Sequence, residues 1–210
     1  MKLTDLFFLA SVLFVFILLI RIAIATVRRR WASAVRLARL LAIFVVGYVF
    51  FLFVVGFTMP RRTFVSGERE CFDDWCVAAL GATLTESSPN SPCQLVPGND
   101  TWIAGLEVSS DAKRIRQRAR LVRVELEDQS GQRYPACAAT IPQGAQPTHW
   151  LTDELGPGES FRVWLPFRVP HTATPAGLVV HHGEYPGKFI IGDDQSVLHR
   201  PALLLLPTQP

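Results

Sequence analysis

Polar and apolar positions change their pattern near residue 60. Before that point the apolar residues run on without alternation. Residues 40–59 are twenty consecutive residues without a charge, and at 1.5 Å per residue a helix of that length spans about 30 Å, the hydrocarbon thickness of a bilayer. Residues 6–20 form an uncharged run of fifteen, Arg21 interrupts it, and 22–27 continue apolar. A helix over about 6–27 crosses a bilayer if Arg21 snorkels to the near headgroups. The pattern therefore predicts a two-helix transmembrane hairpin over residues 1–60, with spans at about 6–27 and 40–59. A cleaved signal peptide is the rival for the first span. It is opposed by the single Lys2 ahead of the run, by Arg28-Arg29-Arg30 directly after it, and by the lack of a small-x-small cleavage site.

From residue 61 the pattern becomes short alternating runs parted by turn residues about every ten positions, which predicts an all-β sandwich over 61–210. Strands are expected over 62–65, 75–85 with Gly81 at a bulge, 101–109, 119–124, 134–139, 161–169, 176–181, 189–191 and 202–206, about seven to nine in all, with 70–72 leading into the Asp73-Asp74 corner. In 101–109, Trp102, Ala104, Leu106 and Val108 share one face. In 161–169, Phe161, Val163, Leu165, Phe167 and Val169 face one way against Arg162, Trp164, Pro166 and Arg168, so that strand is half-buried, and Pro166 favours a sheet edge. Gly131 within 127–134 sits where a hairpin turn needs positive φ.

Charge sharpens this division. Residues 1–60 carry seven Lys/Arg and one acid, +6; residues 61–210 carry fourteen Lys/Arg and seventeen acids, −3. Six arginines (Arg21, Arg28, Arg29, Arg30, Arg36, Arg39) separate the two apolar runs, and the positive-inside rule assigns that basic loop to the cytoplasm. Both ends of the chain then lie outside, with the sandwich beyond the bacterial cytoplasmic membrane. Gly47 and Gly56 are nine apart, so no GxxxG seam marks the spans for dimerisation. The partners expected are the lipid bilayer and an envelope protein. Nucleic acid is excluded by the domain's net charge and by a basic stretch at 113–123 that lacks interleaved aromatics.

All four cysteines (Cys71, Cys76, Cys93, Cys137) follow the second span, and their even number points to disulfides in an oxidising compartment. Three complete pairings are open. Zinc is disfavoured because Cys71-x4-Cys76 is wider than a finger knuckle and the other two cysteines are isolated.

The turn and strand Gly156-Pro157-Gly158-Glu159-Ser160 … Phe167-Arg168-Val169-Pro170, the hairpin Asp128-Gln129-Ser130-Gly131-Gln132-Arg133-Tyr134, Phe72-Asp73-Asp74-Trp75-Cys76, and Ile190-Ile191-Gly192-Asp193-Asp194 … His199-Arg200-Pro201 occur in order. In this the chain resembles the DUF4352-type, MPT63-like domains over about 62–207, outside the two spans. The resemblance implies an immunoglobulin-like sandwich displayed or secreted beyond the membrane, in a subset with many uncharacterised members. It implies no enzyme activity and carries over no ligand or cofactor. Cys71 departs from the subset pattern.

Candidate chemistry is sparse. Asp73-Asp74 and Asp193-Asp194 are paired carboxylates that would ligate Ca²⁺ if the two pairs met, with Asp100 or Glu184 assisting; as loop residues they also suit Asx turns. His181 and His182 point to opposite faces of a strand, so a transition-metal site would need His199 with one of them. There is no nucleophile elbow, HExxH, phosphate loop or CxxC. Trp164, opposite the apolar face of its strand, is the candidate partner contact. Asn99-Asp100-Thr101 is a glycosylation sequon that matters only in a eukaryotic secretory route. The expectation is a non-enzymatic domain for binding or assembly in the cell envelope, with divalent-metal binding through the acidic loops as the alternative.

Overall fold

The structure is a computed structural model that describes residues 3–72, 74–85, 93, 96–119, 121–137, 149–182, 187–192, 196 and 199–207. It divides into two compact units: residues 1–60 with 184–200, and 61–183 with 201–210.

The first unit is built on two helices, α1 (Leu3–Val27) and α2 (Trp31–Thr58). At 25 and 28 residues they measure about 37 and 42 Å, and both are long and apolar enough to cross a membrane by length and composition. The second helix starts well before the apolar run at 40. Ala32, Ala34, Leu37 and Ala38 are strong helix formers and the arginines among them oppose helix only weakly. Arg36 and Arg39 therefore ride on α2, Arg21 rides on α1, and the turn is Arg28-Arg29-Arg30 alone. It closes by donation from Arg30 N–H to Ala25 O at 2.8 Å and from Arg29 N–H to Thr26 O at 2.9 Å. This is a Schellman turn with Arg29 at φ 55, where glycine is usual. Thr58 ends α2 two residues before Pro60, which cannot continue it. Phe14 packs on Phe44 with ring centroids 4.8 Å apart, and most other large apolar side chains of both helices face outward.

The 189–191 stretch is not a strand. Gly187–Phe189 forms a single 3₁₀ turn closed by Ile190 N–H donating to Gly187 O, and Gly192 follows at φ 80. Three apolar residues between two glycines turn back before they can reach a ladder. Within the unit, the Phe189 carbonyl accepts from the Tyr48 hydroxyl.

The second unit is a β-sandwich. Its strands are β1 (Thr63–Phe64), β2 (Arg69–Phe72), β3 (Trp75–Thr85), β4 (Asn99–Ser110), β5 (Gln117–Arg118), β6 (Arg123–Asp128), β7 (Arg133–Pro135), β8 (Glu154–Leu155), β9 (Ser160–Pro170), β10 (Pro175–His181) and β11 (Leu203–Leu205). One sheet has the order β1-β11-β10-β6-β7, the other β2-β3-β4-β9, and β5 pairs with β8. The first strand runs parallel to the last, and every other pair is antiparallel. Two sheets, antiparallel except for the β1–β11 pair, with sequence-distant strands side by side make the arrangement immunoglobulin-like.

Alternation along each long strand supplies the core. Val77 and Ala79 of β3, Ala104, Leu106 and Val108 of β4, and Val163, Leu165, Phe167 and Val169 of β9 meet Val124 and Leu126 of β6, Leu178 and Val180 of β10, and Leu204 of β11. Gly81 lies at the expected bulge, where the β3–β4 register slips between Ala79 and Gly81. β9 is the last strand of its sheet, as Pro166 favours, and its outer side is met only locally, where Ala136 bridges Phe167 and Cys137 N–H donates to Pro166 O at 2.7 Å. The strand expected over 119–124 starts instead at Arg123. Leu121 is 76% exposed at φ 56, a conformation that breaks a ladder.

Candidate functional site

The acidic pairs are the first place to look for chemistry. Asp73, Asp193 and Asp194, with Glu184, lie outside the described residues. Asp74 is exposed at the β2–β3 corner. Its carbonyl accepts from Asp111 N–H at 2.9 Å, and its carboxylate accepts from Gln117 Nε2 at 3.4 Å. Asp100 is elsewhere, 2.6 Å from His171 Nδ1.

The cysteines form two disulfides, Cys71–Cys76 and Cys93–Cys137. The first follows from register, because Cys71 and Cys76 lie directly opposite each other in the β2–β3 hairpin. The second joins residues 44 apart in sequence. Among the described residues one group of potential ligand atoms converges, two of them the sulfurs of the Cys71–Cys76 disulfide. Cys71, Cys76 and Asp111 each place an atom within 4.8 Å of the other two. Asp111 Oδ2 is 3.6 Å from Cys76 Sγ, and its Oδ1 accepts from Arg69 at 2.9 Å. Cys76 is buried, while Cys71 and Asp111 are exposed. Asp111 lies 35 residues beyond Cys76, so no sequence spacing signalled it.

A polar network covers the solvent side of β6, where Glu125 and Glu127 alternate with core-facing Val124 and Leu126. Arg61 grips both oxygens of Glu127 and donates Nε to Pro201 O at 2.8 Å. Arg133 adds a bond to Glu127 at 2.9 Å, and His181 lies 3.3 Å from Glu125. Burial alone would raise the Glu127 carboxyl. The bonds and charges of Arg61 and Arg133 outweigh it and hold that carboxyl below its ordinary range. No motif in the sequence singles out Arg61.

At the end of the same hairpin, Asp128 organises the turn. Its Oδ1 accepts from Ser130 N–H, Ser130 hydroxyl and Gln132 N–H, and its Oδ2 accepts from Tyr134 hydroxyl at 2.9 Å. Burial again pushes this carboxyl up, and the four bonds bring it below the usual value; burial and the Asp128 charge raise the Tyr134 phenol. Gly131 adopts φ 85, as the turn pattern predicted. Gln129 N–H donates to Thr174 O, which ties this turn to the β9–β10 turn. Between the two turns lies a cleft of about 420 Å³ lined by Gln129, Ser130, Gln132, Tyr134, Thr172 and Thr174, with Pro170 and Ala173. Its hydroxyls and amides suit a hydrogen-bonding ligand. Asp128 accepts four hydrogen bonds there, and they hold the turn.

Trp164, the expected partner contact, is half-buried across Gly105 of the neighbouring strand. A Cβ at Gly105 would come within 2.7 Å of the Trp164 ring. His182 stacks on buried Trp75 with centroids 5.2 Å apart, while His181 faces Glu125, so the two histidines diverge as alternation requires. In the basic stretch, Arg116 pairs with Glu154 and Arg118 donates to Thr152 O, leaving Ile115 70% exposed.

No family model matches the chain, and no curated protein matches it. Solved structures do show likeness. A secreted protein of Mycobacterium tuberculosis, MPT63, is 17% identical over 60% of this chain and 93% of its own, with a TM-score of 0.42. An uncharacterised β-sandwich protein of Clostridium difficile is 12% identical over 59% of this chain and 88% of its own, with a TM-score of 0.41. A conserved hypothetical protein of Bacillus anthracis is 15% identical, covering 59% and 92%, with a TM-score of 0.41.

Proposed function

We propose that the chain is a two-pass protein of the bacterial cytoplasmic membrane that displays its sandwich on the outer side and acts there by binding, not catalysis. The observation that carries the reading is the helical hairpin. Two helices with outward apolar side chains are joined by a turn made of three arginines, and short loops rich in arginine stay in the cytoplasm. The two disulfides suit an oxidising exterior. The four ordered motifs support grouping the sandwich with DUF4352-type domains. The cleft between the β6–β7 and β9–β10 turns is the binding surface of this reading, for an uncharged polar ligand or a polar loop of an envelope protein.

Thiol labelling of intact cells tests the orientation. An Ala32→Cys variant is expected to react with an impermeant maleimide only after permeabilisation, and an Ile115→Cys variant to react at once. Labelling of the first variant from outside, or protection of the second, overturns the topology.

A further inference from the structure

We propose that Cys71, Cys76 and Asp111 form a redox-gated site for a thiophilic divalent cation such as Zn²⁺, closed while the Cys71–Cys76 disulfide is present. Three features of the fold bring the ligands together. The β2–β3 register sets the two cysteines opposite each other, so both sulfurs leave the sheet on one face. The Asp111 N–H to Asp74 O bond holds the start of the loop after β4 against the β2–β3 corner. Arg69 occupies Oδ1 of Asp111 and leaves Oδ2 turned to Cys76 Sγ.

The Cys76–Asp111 spacing already suits the metal with the disulfide closed, and reduction frees the two sulfurs to move apart around it. Zinc–sulfur and zinc–oxygen distances of about 2.3 and 2.0 Å in a tetrahedron put sulfur and oxygen about 3.5 Å apart. The observed separation is 3.6 Å. Two thiolates and one carboxylate make an anionic, soft-weighted donor set that selects zinc over calcium or magnesium. The exposure of Cys71 and Asp111 leaves the fourth position to water.

The chemistry balances through a dithiol reductant. It gives two electrons and two protons to the disulfide, becomes a disulfide itself, and leaves Cys71 and Cys76 as thiols. Zn²⁺ then displaces both thiol protons as it binds. Oxidation by a disulfide compound reverses the sequence and expels the metal. The site stands independently of the membrane orientation and of the polar cleft.

The test uses the full chain in detergent micelles with Co²⁺ as a spectroscopic stand-in for Zn²⁺. A phosphine serves as reductant, taking oxygen from water as it reduces the disulfides. Reduced protein is expected to show a thiolate-to-cobalt charge-transfer band and tetrahedral visible bands. Oxidised protein and a reduced Cys71→Ser/Cys76→Ser variant are expected to lack them. Asp111→Asn, a change at an exposed residue, is expected to weaken Zn²⁺ binding at least about tenfold in a competition titration. The same bands from the double-serine variant would assign the metal to Cys93 and Cys137 and overturn the proposal. Unchanged affinity in Asp111→Asn would also overturn it, and that arm decides even if the double-serine variant fails to fold.

Discussion

The helical hairpin and the sandwich use the same apolar residue types in opposite ways. Phe50 is 62% and Ile43 72% exposed on α2, while Phe167 and Leu126 of the sandwich are wholly buried. In water such a surface on two helices would be an exposed apolar patch far larger than monomeric proteins tolerate; in lipid it is ordinary. In the sandwich the same side chains alternate with polar ones and meet across two sheets. Charge follows the division, +6 against −3. The helices satisfy their backbone groups within each segment, as a bilayer requires, and the sandwich satisfies them between segments distant in sequence.

Truncating an aromatic in each region tests this contrast with the largest effect. Phe167→Ala is expected to destabilise the sandwich by about 3–5 kcal/mol, read from chemical denaturation of the full chain in detergent. Phe50→Ala is expected to leave that transition within about 0.5 kcal/mol. Equal losses would mean that the outward face of α2 is not solvated by lipid or detergent.

The disulfides extend the comparison within the sandwich. Cross-linking across 44 residues restricts the unfolded chain more than cross-linking across 5. The loop-entropy relation gives about 4 kcal/mol for Cys93–Cys137 and about 2 kcal/mol for Cys71–Cys76. Paired serine variants, compared by denaturant midpoint, are expected to fall in that order. The reverse order would show that the hairpin bond carries tertiary strain or contacts beyond chain entropy.

Acid gives the smallest effect. Glu127 and Asp128 both have lowered carboxyl pKa values in the fold. Their contribution is complete above the unfolded values near pH 4 and is lost as pH falls through the lower folded values. The sandwich's denaturant midpoint is expected to drop between pH 6 and pH 3, and Glu127→Gln/Asp128→Asn to flatten that slope. The hairpin has no such carboxylate pair to titrate, so its helical signal is expected to stay level.

Much of the fold was legible because its signals are local. The run of 75–85 marked β3 to the residue, alternation in 161–169 marked all but the ends of β9, and Gly131 marked its turn. The errors were local signals overruled by context. The apolar 189–191 triplet turned back between glycines, and Leu121 took a left-handed conformation where alternation read strand. The site was less legible. Of the acidic pairs only Asp74 is among the described residues, and the juxtaposition of Asp111 with the Cys71–Cys76 disulfide has no sequence spacing to announce it.

The sequence by itself determined the two long apolar helices, the arginine cluster at their turn, the charge division and the inward faces of the long strands. These depend on periods of 3.6 and 2 and on composition, which are properties of neighbouring residues. Tertiary structure decided the disulfide pairing, the placement of Asp111 beside Cys76, the grip of Arg61 on Glu127 and the cleft between two turns. Each of those joins residues through strand register and sheet order, where a one-residue slip would exchange the inner and outer faces. No local pattern contains that register.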